Sequence, residues 1–209
     1  MSLFITFEGG EGSGKSSQAR ILYRRLCQLA IPALLTHEPG VTPPGKRIAR
    51  LLKWAQDVDI SPMAELLLFN ASRAQLVTEV IRPNLESGKV VICDRYADST
   101  MAYQGYGRGL DLTTVSSVNE IGTQGLVPDL IVLLDISVTE GLARKGGKRR
   151  DRFEEENKNF HQRVRDGYLK LAAAEPERWL VIDAKQSREK VAGIIWKRVS
   201  KILPRQKGV

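Results

Sequence analysis

Residues 9–16, Gly9-Gly10-Glu11-Gly12-Ser13-Gly14-Lys15-Ser16, fit the pattern G-x-x-x-x-G-K-[ST] without a gap, and Ser17 follows. Residues of these types at this spacing bind phosphate. The glycines let the backbone wrap closely around phosphate oxygens with N–H groups pointing inward. Lys15 can reach β- and γ-phosphates, and Ser16 can offer a hydroxyl to Mg²⁺. The stretch follows an apolar run and opens a helical pattern, which is the context that makes the motif a nucleoside triphosphate site. It does not say whether the phosphate goes to water or to another molecule.

A second carboxylate after an apolar strand would serve a metal-phosphate site. Two residues fit: Asp94 after "VVIC" and Asp135 after "LIVLL". Asp135 can equally cap the helix that follows. Asp94 is followed directly by Arg95 and Tyr96, which suits Mg²⁺ and a second anionic ligand, or else a local ion pair. The stretch "DSTMAYQGYGRGL" (98–110) is dense in hydrogen-bonding side chains and tyrosine. Upstream, in "ELLLFNASRAQ" (65–75), Phe69 and Arg73 stand four apart, on one face of a helix. Phe69 can stack on a base or fill a core. Arg73, a charge on a largely apolar helix, needs a partner.

These residues must be held by a frame. Short apolar runs at 3–7, 33–36, 90–93, 130–135 and 179–183 read as strands buried on both faces. Helical spacing recurs in Ala19, Leu22, Leu26 and Leu29, and again in Leu67, Ala71, Ala74, Val77 and Ile81 within a long segment at 61–87. Further helices are predicted at about 111–124, 137–145, 156–174 and 187–202. Strands alternating with helices give an α/β fold, a five-stranded parallel sheet with helices on both faces. In such sheets ligands sit beyond the carboxyl ends of the strands. Glu8, Glu38 and Asp94 stand there.

The chain has 209 residues, enough for one α/β domain, and no repeat or long linker divides it. No apolar run approaches the roughly 20 residues of a membrane span. "MSLFITFEGG" reads as a first strand rather than a signal peptide. Cys27 and Cys93 are too isolated for a disulfide framework or metal site and are expected to be buried in a cytoplasmic protein. The net charge of +8 suits anionic small molecules or nucleic acid alike. The charge clusters in "RKGGKRRDR" (144–152) and in the C-terminal "KRVSKILPRQKGV". The second cluster lacks interleaved aromatics and reads as a solvated helix end.

In order along the chain, "EGGEGSGKSS", "HEPG", "LLLFNASRAQ", "DRYADSTMAYQGYGRGL", "PDLIVLLD" and "DRFEEE…F…VRDGYLKLA" resemble thymidylate kinases of the bacterial type, over about residues 3–184. The resemblance implies a single nucleoside monophosphate kinase domain over 1–209, with the P-loop NTPase fold and a short mobile lid at about 144–152. It implies transfer of the ATP γ-phosphate to dTMP, giving dTDP for dTTP biosynthesis, with Mg²⁺, in a cytoplasmic homodimer, without nucleic acid or membrane. ATP would lie on Gly9, Gly10, Glu11, Gly12, Ser13, Gly14, Lys15, Ser16 and Ser17, with Arg144 near the adenine or the lid hinge. The metal would meet Ser16 and, through water, Asp94. The resemblance puts dTMP against Glu11, Glu38, Phe69, Arg73, Arg95, Thr100, Tyr103 and Gln104. There Phe69 stacks on thymine, Arg73 bonds O4, Thr100 and Gln104 face the Watson–Crick edge, and Tyr103 sits against the deoxyribose. Lys15, Glu11 and Arg95 would carry the transfer, Arg95 bridging the two phosphates. Gly12 stands where some relatives have an arginine, so the charge of the transition state falls to a lid arginine, Arg149 or Arg152.

The chain departs from the family pattern at His37, where an arginine commonly precedes Glu-Pro-Gly, and at Val41, where a second glycine is usual. Two rival activities remain at this level. A deoxynucleoside kinase would need a carboxylate base such as Glu8 or Glu11. A nucleotide switch or nucleic-acid-binding NTPase would use the basic charge, and would leave Phe69, Arg73 and Tyr103 without purpose.

Overall fold

The computed structural model describes residues 2–55, 58–146 and 151–203. Among them one five-stranded sheet forms, every pair parallel, in the order β2-β3-β1-β4-β5. The strands are β1 (Leu3–Glu8), β2 (Ala33–His37), β3 (Val90–Asp94), β4 (Leu130–Asp135) and β5 (Trp179–Asp183). The helices are α1 (Lys15–Gln28), α2 (Pro43–Trp54), α3 (Pro62–Leu76), α4 (Arg82–Glu86), α5 (Ala97–Thr100), α6 (Leu112–Thr123), α7 (Val138–Lys145), α8 (Lys158–Ala174) and α9 (Arg188–Ile202). A glycine-rich loop between the central strand and the following helix marks this as the P-loop NTPase fold.

Side chains alternate across a strand, and here both alternating sets are apolar. Leu3, Ile5 and Phe7 of β1 join Ile92 and Val132 in a core with Leu22 and Leu26 of α1 and Val191 and Ile195 of α9. Phe4, Val91 and Cys93 face the other way, onto Leu76, Val77 and Ile81. On that second face, Ile131 and Leu133 meet Phe160, Val164 and Tyr168 of α8. In register, Phe7 and His37 both pair with Asp94. The ends of the three strands that carry Glu8, His37 and Asp94 are therefore level with one another, and the site is built above them.

Three elements differ from expectation. Residues 43–54, assigned no helix from the sequence, form α2. Two prolines and a glycine in its first turn hide the pattern. Proline is tolerated there because those N–H groups have no helical partner, and Thr42 caps the turn by accepting the Gly45 N–H at 3.1 Å. Residues 97–107 are also helical, as α5 followed by a π-helical turn (Met101–Gly107). The long helix at 61–87 is present as α3 and α4, joined through a π-helical turn (Val77–Ile81) just before Pro83, whose missing N–H breaks the regular ladder.

Two residue readings are corrected. Asp135 does not cap α7. Ser137 does, accepting the Glu140 N–H at 3.4 Å, while Asp135 takes a bidentate pair from Arg165 at 2.7 and 2.8 Å. Cys93 is buried, but Cys27 is exposed, because the apolar face of α1 is formed by Ala19, Leu22 and Leu26.

Candidate active site

The phosphate loop is built as its glycines require. Gly9, Gly12 and Gly14 have φ of 140°, 66° and 93°, in the region that favours glycine. A Cβ on Gly12 would come within 2.0 Å of the Gly141 carbonyl oxygen on α7. No side chain can be carried at position 12 while α7 stands this close. No side chain caps α1, and its first turn has no acid. Its N-terminal N–H groups and positive dipole end are left for an anion. Lys15, 7% exposed, folds back to donate to the Gly9 and Gly10 carbonyls at 3.0 and 2.8 Å. Burial, then repulsion from Arg95, lowers its ammonium to about 8. Ser16 donates its hydroxyl to Asp94 Oδ2. A hydroxyl and a carboxylate side by side are hard oxygen donors, the type that Mg²⁺ prefers.

Arg95 lies at the centre. Its φ of 72° is left-handed, rare for a residue with a side chain. The turn sends Arg95 away from its sequence neighbour Asp94 and toward Glu11, so the expected alternative of a local ion pair does not form. Its Nη2 donates to Glu11 Oε1 at 2.7 Å and to the Tyr103 hydroxyl at 3.2 Å. Its Nη1 donates to the Gly9 carbonyl at 3.2 Å and to the Tyr168 hydroxyl at 3.3 Å. Behind it, Glu8 is fully buried and accepts from Tyr96 N, Ser99 and Tyr168. Burial pushes the Glu8 carboxyl up. At Glu11 burial pushes the same way, but Arg95, Lys15 and Lys145 outweigh it and hold that carboxyl well below the usual range. Lys145, at the end of α7, reaches Glu11 at 3.3 Å.

A pocket opens beyond Arg95, lined by Glu38, Phe69, Arg73, Thr100, Tyr103 and Gln104 among others. All the residues that the sequence reading assigned to the second ligand meet here. Phe69 is half-buried and lies 5.6 Å from Phe153, ring centre to ring centre. The partner that Arg73 requires is Glu38, whose Oε2 accepts from Nε at 2.9 Å. The remaining four N–H groups go to Asn70, Asn119, the Tyr96 carbonyl and Thr100. All five guanidinium donors are thus engaged inside the protein. Burial raises the Glu38 carboxyl to about 7 despite Arg73, and its Oε1 has no partner among the described residues.

The pocket and the phosphate loop form two halves of one cleft, with Glu11, Glu38, Lys53, Arg95 and Asp151 lining both. Of the lid arginines, Arg149 lies outside the described residues. Arg152 pairs with the buried Glu65, and its backbone N–H donates to the Lys53 carbonyl at 3.2 Å. Arg144 donates to the Ala184 carbonyl at 3.0 Å and lines neither half.

Sequence reasoning missed Lys53, Glu65, Lys145, Phe153 and Tyr168. Phe153 and Tyr168 lay inside quoted motifs. Lys53 sat in the unrecognised α2, where a cation three residues after Arg50 gave no signal. Glu65 was detectable as a carboxylate four residues before Phe69 and eight before Arg73, on the same helix face.

Comparison with known proteins places the chain among its relatives. The family model described as thymidylate kinase matches residues 7–195. A thymidylate kinase of Dehalococcoides mccartyi is 57% identical over 203 residues, covering 97% of this chain and 98% of that one. One from a Roseiflexus species is 52% identical, covering 92% and 91%. The crystal structure of thymidylate kinase from Ehrlichia chaffeensis superposes with a TM-score of 0.78 at 34% identity, covering 95% of this chain and 98% of that one. Matched by the family model over residues 7–195 and by these relatives over nearly its whole length, the chain belongs to the thymidylate kinase family.

Proposed function

We propose that the chain transfers the γ-phosphate of ATP to the 5′-phosphate of dTMP, with Mg²⁺, giving dTDP for dTTP biosynthesis. The observation that carries this reading is Arg95, a cation lining both halves of the cleft and held between Glu11, Tyr103 and the phosphate loop. A γ-phosphate passed to a second phosphate must overcome repulsion between anions, so the protein supplies cations and alignment. Lys15 and the N-terminus of α1 hold the β- and γ-phosphates. Ser16 and Asp94 would hold Mg²⁺, which lowers the charge on those phosphates. Arg95 turns from Glu11 to the two phosphates between which transfer occurs, and an arginine of the lid, Arg149 or Arg152, adds charge in the transition state. Phe69, with Phe153, stacks on thymine. Arg73 bonds O4 by sharing an N–H now given to Thr100. Glu11 and Tyr103 meet the sugar and its phosphate. Arg144 lies toward the adenine end.

The whole of 1–209 acts as one nucleoside monophosphate kinase domain with its lid at about 144–152. It works in the cytoplasm, where Cys27 and Cys93 stay reduced, and without nucleic acid. No described helix is long and apolar enough to cross a membrane. A homodimer is supported by α3, which exposes Met63 and Leu67 at 40% and 53%.

The test follows ADP formation from ATP and Mg²⁺ with dTMP, dUMP, UMP, CMP, AMP, thymidine or no acceptor. dTMP should accelerate it at least 100-fold over thymidine or no acceptor. Equal rates throughout would sink the proposal.

A further inference from the structure

Glu65 is fully buried on α3, below the pocket. Its Oε1 accepts Gln104 Nε2 at 2.7 Å and Arg108 Nε at 3.1 Å. Its Oε2 accepts Arg108 Nη2 at 3.1 Å and also Arg152. A carboxylate between two guanidiniums can only accept, so Gln104 must give it the NH₂ end of its amide. The carbonyl end then faces away. Gln104 lines the pocket, and among the described residues its side chain bonds through Nε2 alone.

The neighbouring Thr100 hydroxyl is left with a proton to give. Thr100 accepts from Arg73 Nη2 at 2.8 Å. A guanidinium cannot accept, so the Thr100 hydroxyl proton is left for another partner. The pocket edge therefore presents an acceptor, Gln104 Oε1, beside a donor, the Thr100 hydroxyl.

Resting on the reading that this pocket takes a nucleoside monophosphate, we propose that Glu65 is a positioning residue that locks the Gln104 amide and so sets base specificity. The locked edge matches a pyrimidine with N3–H beside a C4 carbonyl. It opposes one with a bare N3 beside an amino group, where the Gln104 acceptor would meet the N3 acceptor and the Arg73 N–H, which can only donate, would meet the amino donor. Discrimination of this kind is large because a mismatch leaves buried polar groups unpaired.

The probe is 5-methyl-dCMP, which keeps the methyl group and sugar of dTMP and reverses the polarity at positions 3 and 4. Wild-type kcat/KM should favour dTMP at least 100-fold. In Glu65→Gln, residue 65 can donate as well as accept, and Gln104 is free to turn. The ratio should then fall at least tenfold, with KM for dTMP rising more than kcat falls, and Glu65→Asp should restore part of it. If Glu65→Gln slows both substrates by one factor and leaves the ratio within twofold, the residue is merely structural and the inference is overturned. Binding to the wild type by calorimetry is independent of the variant's folding, and there 5-methyl-dCMP binding as tightly as dTMP overturns it as well. A wild type that phosphorylates both nucleotides alike overturns this inference alone. One that phosphorylates neither overturns the functional reading with it.

Discussion

At the scale of single residues, the site is a set of buried charges, each held by a particular partner. Arg73 and Glu38 form a buried pair at 2.9 Å with side-chain exposures of 1% and 4%. In such a pair the cost of removing both charges from water offsets most of their attraction, so its net stabilisation is small. The Glu38 carboxyl titrates at about 7 when folded against an ordinary 4.5, because burial outweighs Arg73. Between those values the folded state holds a proton that the unfolded state lacks, so this residue lowers stability as pH rises through the window. The shift sets an upper bound of about 3 kcal/mol. Denaturation of Glu38→Gln at pH 5 and pH 7.5 should show a flatter pH dependence than wild type, and equal slopes would contradict the account. Asp98, also raised to about 7 by burial, contributes in both proteins and cancels in the comparison. In the sequence, residue types and strand-end positions were enough to pick out Lys15, Ser16 and Asp94. The resemblance added Glu11, Thr100, Tyr103 and Gln104, and gave Arg95, already noted beside Asp94, a role between the two phosphates. What spacing could not show was direction. That Arg95 turns away from Asp94, or that Arg73 spends all its donors internally, depends on a left-handed backbone and on residues up to 46 positions away.

At the scale of elements, the phosphate loop is held by α7. The two meet through glycines, and a Cβ on Gly141 would lie 2.3 Å from the Glu11 carbonyl oxygen. Gly141→Ala must push α7 off the loop. Overpacking of this kind costs about 1–3 kcal/mol. The variant should melt lower and show an ATP affinity reduced at least tenfold, while unchanged melting and affinity would show that the contact is slack. The strands were legible because both faces of each are apolar and turn residues bound them. The helix α2 was not, because its first turn carries the residues that usually end helices. The π-helical turn at 101–107 was not either. Its side chains follow the pocket, through Tyr103 and Gln104, rather than a regular apolar stripe.

At the scale of the whole molecule, the parallel sheet brings residues from distant parts of the chain to one edge, and its order follows from strands alternating with helices. Oligomeric state is not written in that pattern. Exposed Leu67 and Met63 on α3 support a homodimer, expected to sediment at twice the 23.3 kDa of the chain and to fall to one chain in Leu67→Glu. A wild type sedimenting as one chain would contradict it. In the proposed reaction the phosphate leaves one anion for another across Arg95. The most direct measurement follows γ-labelled ATP in the presence of Mg²⁺ and dTMP. Transfer between the two anions puts label in dTDP, one for each ADP formed, and almost none in inorganic phosphate. Label appearing in inorganic phosphate at the same rate with or without dTMP would contradict it.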